Sequence, residues 1–127
     1  MVGFAGFRPR VSSSVGEHLK LFMRIFAECE NGVAADAVGD RMLSYLSGAG
    51  VVASAPPKPY LKIPKYFEFT FTATPSSEQT FRSVVALCAG GWVHHADAHE
   101  FSSVWNKVGE LNFLDPLVKW AEVQLHA

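Results

Sequence analysis

The feature that most constrains the fold is the segment Tyr66–Ala73, in which apolar and polar side chains alternate strictly. Successive side chains of a β-strand point to opposite faces of its sheet. Phe67, Phe69 and Phe71 would therefore lie on one face, and the polar residues between them on the other. A strand of this kind needs a sheet with one buried face, so the chain must fold around such a sheet.

The remaining periodicity predicts two helices and three further strands. Leu19–Cys29 alternates in part and indicates a strand with one buried face. Val33–Ser47 and Ser76–Ala89 carry apolar residues at three- and four-residue spacing, which is typical of amphipathic helices. Trp92–Trp105 and Leu117–His126 are interpreted as the last two strands.

The segment Gly50–Pro64 holds four of the chain's 7 prolines. Proline removes a backbone donor and biases its neighbour toward extended conformations, so we expect a surface loop here. Neither flank is long enough to fold alone, and 127 residues amount to one domain, 1–127. Residues 1–17 are expected to form an edge strand or a loosely held arm.

These elements predict an α+β fold, a two-layer sandwich with the order β-α-β-α-β-β. Two helices would cover one face of a mainly antiparallel sheet of about four strands. The phenylalanine row of Tyr66–Ala73 is the natural surface for the apolar stripes of both helices.

The composition disfavours several classes of partner, although scattered Lys and Arg residues leave RNA binding as a minor alternative. Lys and Arg number 11 against 12 Asp and Glu, whereas nucleic-acid-binding domains normally carry a basic excess. No segment approaches ~18 consecutive apolar residues, and no signal peptide is recognisable. We therefore expect a cytoplasmic protein without a nucleic-acid or membrane partner. Cys29 and Cys88 lie in apolar runs and are expected to be buried free thiols.

The densest polar cluster lies within His94–Glu100 and has residue types that suit zinc or another divalent metal. On one strand, His95, Asp97 and His99 would share a face, while their neighbours point away. A solvated strand face, a pH sensor or part of an interface explains the same residues. We expect no metal and no cofactor, and keep a small metal-dependent enzyme or metal-binding protein as an alternative.

Other catalytic arrangements have weak support. Neither cysteine opens a helix or follows a sharp glycine-flanked turn, where a thiolate would be stabilised. The carboxylate pairs Glu28/Glu30 and Asp36/Asp40 could act as general acid and base, or form a solvated rim or an acidic patch for a basic partner. We expect no enzymatic activity and no small-molecule substrate.

The C-terminal part carries three linked motifs: Ser103-Val104-Trp105-Asn106, then Phe113-Leu114-Asp115-Pro116, then Val118-Lys119-Trp120-Ala121-Glu122-Val123. This ending resembles that of immunity proteins of bacterial polymorphic toxins, including those of contact-dependent growth inhibition. The resemblance covers about the last quarter of the chain, and most of its positions are typical core residues. It implies a cytoplasmic, cofactor-free inhibitor that binds and neutralises the C-terminal toxin domain of an effector, for instance a tRNA nuclease.

Tight inhibition of a toxin needs buried anchors together with charge complementarity that speeds encounter. Because the net charge is only −1, an acidic surface must be a local patch. The candidate carboxylates are Glu28, Glu30, Asp36, Asp40, Asp97 and Glu100, and the candidate aromatic anchors are Tyr66 and Trp105. A generic protein-interaction module remains an alternative.

Overall fold

A computed structural model describes residues 19–97 and 100–127 of the chain. The segment 1–17, for which an edge strand or arm was expected, lies outside these residues. Within the described ranges the chain forms six strands and two α-helices, with a short 3-10 helix, Ser47–Ala49, after the first α-helix. The elements are β1 (Lys20–Glu28), α1 (Gly32–Tyr45), β2 (Val52–Pro59), β3 (Tyr66–Ala73), α2 (Glu78–Val85), β4 (Trp92–Ala96), β5 (Glu100–Asn106) and β6 (Val118–His126).

All six strands belong to one antiparallel sheet with the spatial order β2-β3-β1-β6-β5-β4. The α+β class with an antiparallel sheet and two helices is confirmed. The predicted number of about four strands is wrong, and so is the predicted order, because the chain runs β-α-β-β-α-β-β-β. Two further strands come from segments that the sequence pattern did not resolve.

The first of these, β2, lies within Gly50–Pro64, which was expected to be a loop. It is the edge strand beside β3, and its register shifts between Ala53 and Ala55 and between Ala55 and Lys58. Proline is tolerated at a sheet edge and at such irregularities, since no inner ladder needs the missing donor. The prolines therefore shape an edge strand here.

The second arises because the predicted strand Trp92–Trp105 is a hairpin of β4 and β5. The backbone N–H of Asp97 donates to the carbonyl of Glu100 at 3.0 Å and closes the turn between the two strands. No glycine or proline separates β4 from β5 in the sequence. The periodicity alone therefore predicts one continuous strand over Trp92–Trp105.

Both helices cover the same face of the sheet. The side chains of Asn31 and Ser77 accept hydrogen bonds from Ala34 N–H and Thr80 N–H and cap α1 and α2. In α2, Phe81 meets Phe101 of β5 edge-on, with ring centroids 5.4 Å apart. The core lies between this face and the helices, while neither helix covers the opposite face, which we call the outer face.

The motifs that carry the resemblance lie mainly in the core. Trp105 is fully buried, and its indole N–H donates to the carbonyl of Gly90 at 2.8 Å. Phe113 packs between Trp105 and Trp92, with centroid distances of 5.8 and 5.0 Å. These residues hold the loop before β6 against the β4–β5 hairpin.

Candidate functional site

A groove of about 650 Å³ runs between α1 and the edge strand β2. Helix α1 contributes Asp36, Asp40 and Leu43 to its wall, and residues 53–57 of β2 form the other wall. We call this the α1–β2 groove. The β2 wall consists of alanine, serine and proline, whose small side chains leave the groove open to solvent.

The floor of the groove is aromatic and is approached closely by the helix. Phe69 and Phe71 of β3 line the bottom and are almost completely buried. A Cβ atom added to Gly39 would lie 3.5 Å from the ring of Phe69 and 3.9 Å from Pro57. The missing side chain at Gly39 thus leaves the groove deeper over Phe69 than an alanine would.

Two carboxylates stand on the rim of the groove. Asp36 and Asp40 are one helical turn apart, so their Cβ atoms are neighbours on one face of α1, and both are exposed. Within residues 19–97 and 100–127, neither forms an ion pair with a Lys or Arg side chain. The adjacent Arg41 instead binds Asp115. The rim therefore presents two unneutralised negative charges above an apolar floor.

Glu28 and Tyr66 lie elsewhere, at the end of the sheet where α1 begins. They are register partners on β1 and β3 and point to the outer face. Lys65 Nζ lies 4.0 Å from Glu28 Oε2, so this carboxylate is partly neutralised. Glu30 is exposed in the turn that leads into α1.

Asp97 and Glu100 lie at the turn of the β4–β5 hairpin, at the opposite end of the sheet. Glu100 is in register with His126 of β6, which pairs with Lys20 at the start of β1. Glu28 is at the other end of β1, about 26 Å away at ~3.3 Å per residue. The predicted carboxylates therefore do not form one patch, and only Asp36 and Asp40 share a groove.

Trp105, predicted as an aromatic anchor, is not available at the surface because it is fully buried beneath Gly90 and Gly91. Tyr66 is half-buried on the outer face and remains accessible there. The motif around Trp105 consists mostly of typical core residues, and the burial of Trp105 agrees with that pattern, so its predicted role as an aromatic anchor is wrong.

The histidine cluster is divided by the β4–β5 turn. The Nδ1 atom of His94 lies 2.7 Å from Ser103 Oγ on the helix-covered face, whereas His95 points to the outer face. Burial, and secondarily the proximity of His95, lowers the pKa of His94 from its ordinary value of 6.5. His99 is outside the described residues, and those that are described include no group of three His, Cys, Asp or Glu side chains placed to hold a metal ion.

Both cysteines are buried free thiols, as predicted. Burial is the main cause that raises the pKa of Cys29, and the nearby carboxylate of Asp115 adds to it. A raised pKa keeps the thiol protonated at neutral pH, which makes it a poor nucleophile.

Sequence reasoning identified Asp36 and Asp40 but missed the surroundings that make them a site. The proline-rich sequence of β2 predicts a loop, and the alternation in β3 predicts Phe69 and Phe71 only as core residues. The one available signal was Gly39, a helix-disfavouring residue in the middle of an otherwise regular helix.

Comparison of the sequence with protein-family models, curated proteins and solved structures finds no significant match. In the part of the chain that is described, neither helix has the length and apolar character needed to cross a bilayer.

Proposed function

We propose that this protein is an immunity protein that binds and neutralises the C-terminal toxin domain of a contact-dependent growth inhibition effector or a related polymorphic toxin. The proposal rests on the C-terminal resemblance together with one observation. Asp36 and Asp40 stand without cationic partners, among the described residues, on the rim of the α1–β2 groove.

The groove favours a long basic side chain of a partner protein. The methylene stem of a Lys or Arg can lie on the apolar floor while its charged head stays at the rim. There it meets Asp36 and Asp40, and a guanidinium can bind carboxylate oxygens with two hydrogen bonds. This arrangement supplies both anchoring and charge complementarity, the two requirements of tight inhibition.

A nuclease toxin fits this chemistry because its own ligand is a polyanion. Its substrate-binding surface carries Lys and Arg side chains that contact phosphates. An acidic rim that engages those side chains blocks the toxin by occupying its surface. In this function the protein acts in the cytoplasm as a stoichiometric inhibitor, without a metal, a cofactor or a reaction of its own.

The decisive experiment is growth rescue. The toxin domain encoded beside this gene is expressed from an inducible promoter, with or without the 127-residue chain. We expect growth only when the chain is present, and a 1:1 complex when both are purified together. A toxin domain from an unrelated effector serves as the control and should remain toxic.

Two outcomes would count against the proposal. Absence of both rescue and complex formation rejects an immunity role for this pair. Formation of a complex without rescue supports the generic interaction module instead, because binding would then occur away from the toxin's active surface.

A further inference from the structure

The outer face of the sheet carries an aromatic cluster that neither helix covers. Phe26 of β1 has its ring 4.4 Å from that of Tyr60 and 5.3 Å from that of Trp120 on β6. Phe22 lies four residues from Phe26 on the same face of β1 and is half-buried. Phe26 is only 7% exposed because the other rings surround it. Tyr60 and Trp120 themselves remain partly accessible to solvent.

The charges around this cluster are arranged in rows. Arg24 Nε lies 2.5 Å from Glu68 Oε2, and its guanidinium carbon is 4.9 Å from the centroid of Phe26. On the other side, Glu122 of β6 is the register partner of Arg24. Glu122 accepts a hydrogen bond from Gln124 at 2.9 Å but forms no ion pair within the described residues. Arg24 of β1, which is already paired with Glu68, thus lies beside an acid on β6 that has no ion pair of its own among the described residues.

The size of the outer face matches that of a stable protein interface. Strands of up to nine residues span about 30 Å, and five inter-strand spacings span about 24 Å, which gives roughly 700 Å². Specific interfaces bury about 800 Å² on each partner. The outer face is therefore large enough to be one side of a sheet-on-sheet contact, and a short peptide would leave most of it open.

We propose that the outer face binds a second copy of this chain, with a two-fold axis parallel to the strands between β1 and β6. Such an axis places β1 of one copy over β6 of the other and preserves the height of each residue along its strand. Phe26 then lies over the partner's Trp120, and Arg24 over the partner's Glu122. Sheets that pack face to face keep their strands within about 30° of each other, so these central pairs stay in contact.

The charges and rings of the outer face favour this occupant over a partner of different composition. The two-fold operation brings Phe26 against Trp120 and Glu122 against Arg24, twice in each dimer, so that Arg24 would bridge Glu68 of its own chain and Glu122 of the other copy. Elsewhere on the outer face, charges of both signs lie close together. Lys58 Nζ, for example, is 3.7 Å from Glu68 Oε1. Two copies can therefore meet without a large repulsion. The proposal is independent of toxin binding, because the α1–β2 groove lies on the helix-covered side.

Sedimentation equilibrium of the full chain tests the dimer. We expect a mass twice the 13.9 kDa of the chain at micromolar concentration. Glu122→Lys places a cation opposite the partner's Arg24 and should raise the dimer dissociation constant at least about tenfold. Glu110→Lys makes the same charge change in the exposed loop before β6 and should leave the constant unchanged.

Ser102→Lys supplies a second test that does not touch Arg24 or Glu122. Ser102 is half-buried on the outer face of β5, so the longer side chain should also separate the two sheets and yield a folded monomer. Far-UV circular dichroism confirms that each variant folds. A wild-type chain that is monomeric up to about 100 μM, or a dimer insensitive to both substitutions, overturns the proposal. If the chain is a monomer and Glu122→Lys weakens its binding to the toxin, the outer face binds the toxin and not a second copy.

Discussion

Arg41 of α1 donates from Nε to the buried carboxylate of Asp115 over 2.7 Å and thereby ties the helix to the loop before β6. The other oxygen of Asp115 accepts the N–H of Leu117 at 3.0 Å. Leu114, just before, has φ of 67°, and Asp115 N–H donates to Phe113 at 2.8 Å, which makes a tight three-residue turn. The Asp115 carboxylate also raises the pKa of Arg41. The Phe113-Leu114-Asp115-Pro116 motif is therefore a structural turn.

Asp115→Ala should lower the free energy of unfolding by about 1–3 kcal/mol, because the Leu117 N–H and Arg41 lose their acceptor. Urea denaturation monitored by tryptophan fluorescence measures the change. Asp36→Ala is the matched control, since that carboxylate is exposed and has no ion pair among the described residues, and should cost no more than about 0.5 kcal/mol. Equal losses in the two variants would show that the turn does not depend on Asp115.

Gly91→Ala should be among the most destabilising glycine substitutions in the described chain. Gly91 has φ of 96°, and an added Cβ would lie 2.6 Å from Trp105 Nε1 and 2.7 Å from the Asn106 carbonyl. Gly109 also has a positive φ, 56°, but nothing lies within 4 Å of its Cβ position. We expect Gly109→Ala to cost about 1 kcal/mol from backbone strain and Gly91→Ala clearly more, because the collision adds to the strain. Thermal melts of both variants decide this, and comparable melting temperatures would contradict the collision.

Stability should fall as the pH is lowered below about 6.5, partly because of His94. Its folded-state pKa is lowered by burial and by His95, so the unfolded chain binds the proton more readily. The free energy of unfolding therefore decreases from the unfolded pKa of about 6.5 down to the folded pKa, and this loss stops below it. Urea midpoints between pH 7.5 and 5 should show a shallower decline in His94→Asn than in the wild type. Identical declines would exclude His94 as a source.

Reversing both rim charges should weaken toxin binding without unfolding the protein. Asp36→Lys/Asp40→Lys replaces two exposed carboxylates by cations, so a basic side chain of the toxin is repelled from the α1–β2 groove. We expect the dissociation constant to rise at least about a hundredfold, through slower association as well as faster dissociation, with the melting temperature changed by only a few degrees. Isothermal titration calorimetry with the purified toxin domain measures it.

The matched variant is Asp97→Lys/Glu100→Lys, which makes the same charge change at the far end of the sheet. Its affinity should stay close to that of the wild type. If this variant loses binding while the rim variant does not, the toxin binds at the β4–β5 hairpin and the α1–β2 groove is not the site.

The elements that were predicted correctly are those whose side chains alternate between core and solvent. Tyr66–Ala73 matches β3 residue for residue, because each of its phenylalanines faces the core. In β2 the side chains are nearly all exposed, so no periodicity exists to be read. The turn between β4 and β5 lacks glycine, so nothing in composition separates the two strands. The local pattern of apolar residues thus reflects burial. It does not predict a strand at the edge of the sheet whose side chains are exposed on both faces.

The candidate site was predictable only in part for the same reason. The spacing of Asp36 and Asp40 follows from helical geometry, which the sequence encodes directly. Their neighbours across the groove come from a strand that pairs with β3, and that pairing depends on tertiary structure. Trp105 is the opposite case. Tryptophan is a residue type typical of interfaces, but here its side chain packs entirely in the core.

The composition of β2 has a consequence for how recognition at this site can change. Pro56 and Pro57 lack N–H groups, so an incoming strand finds no continuous ladder along this wall, and selectivity must come from side chains. Exposed residues such as Ala53 and Ser54 contribute little to the core and tolerate exchange. A lineage can therefore acquire a new binding preference by replacing a few surface positions, while the buried architecture that every variant needs stays intact.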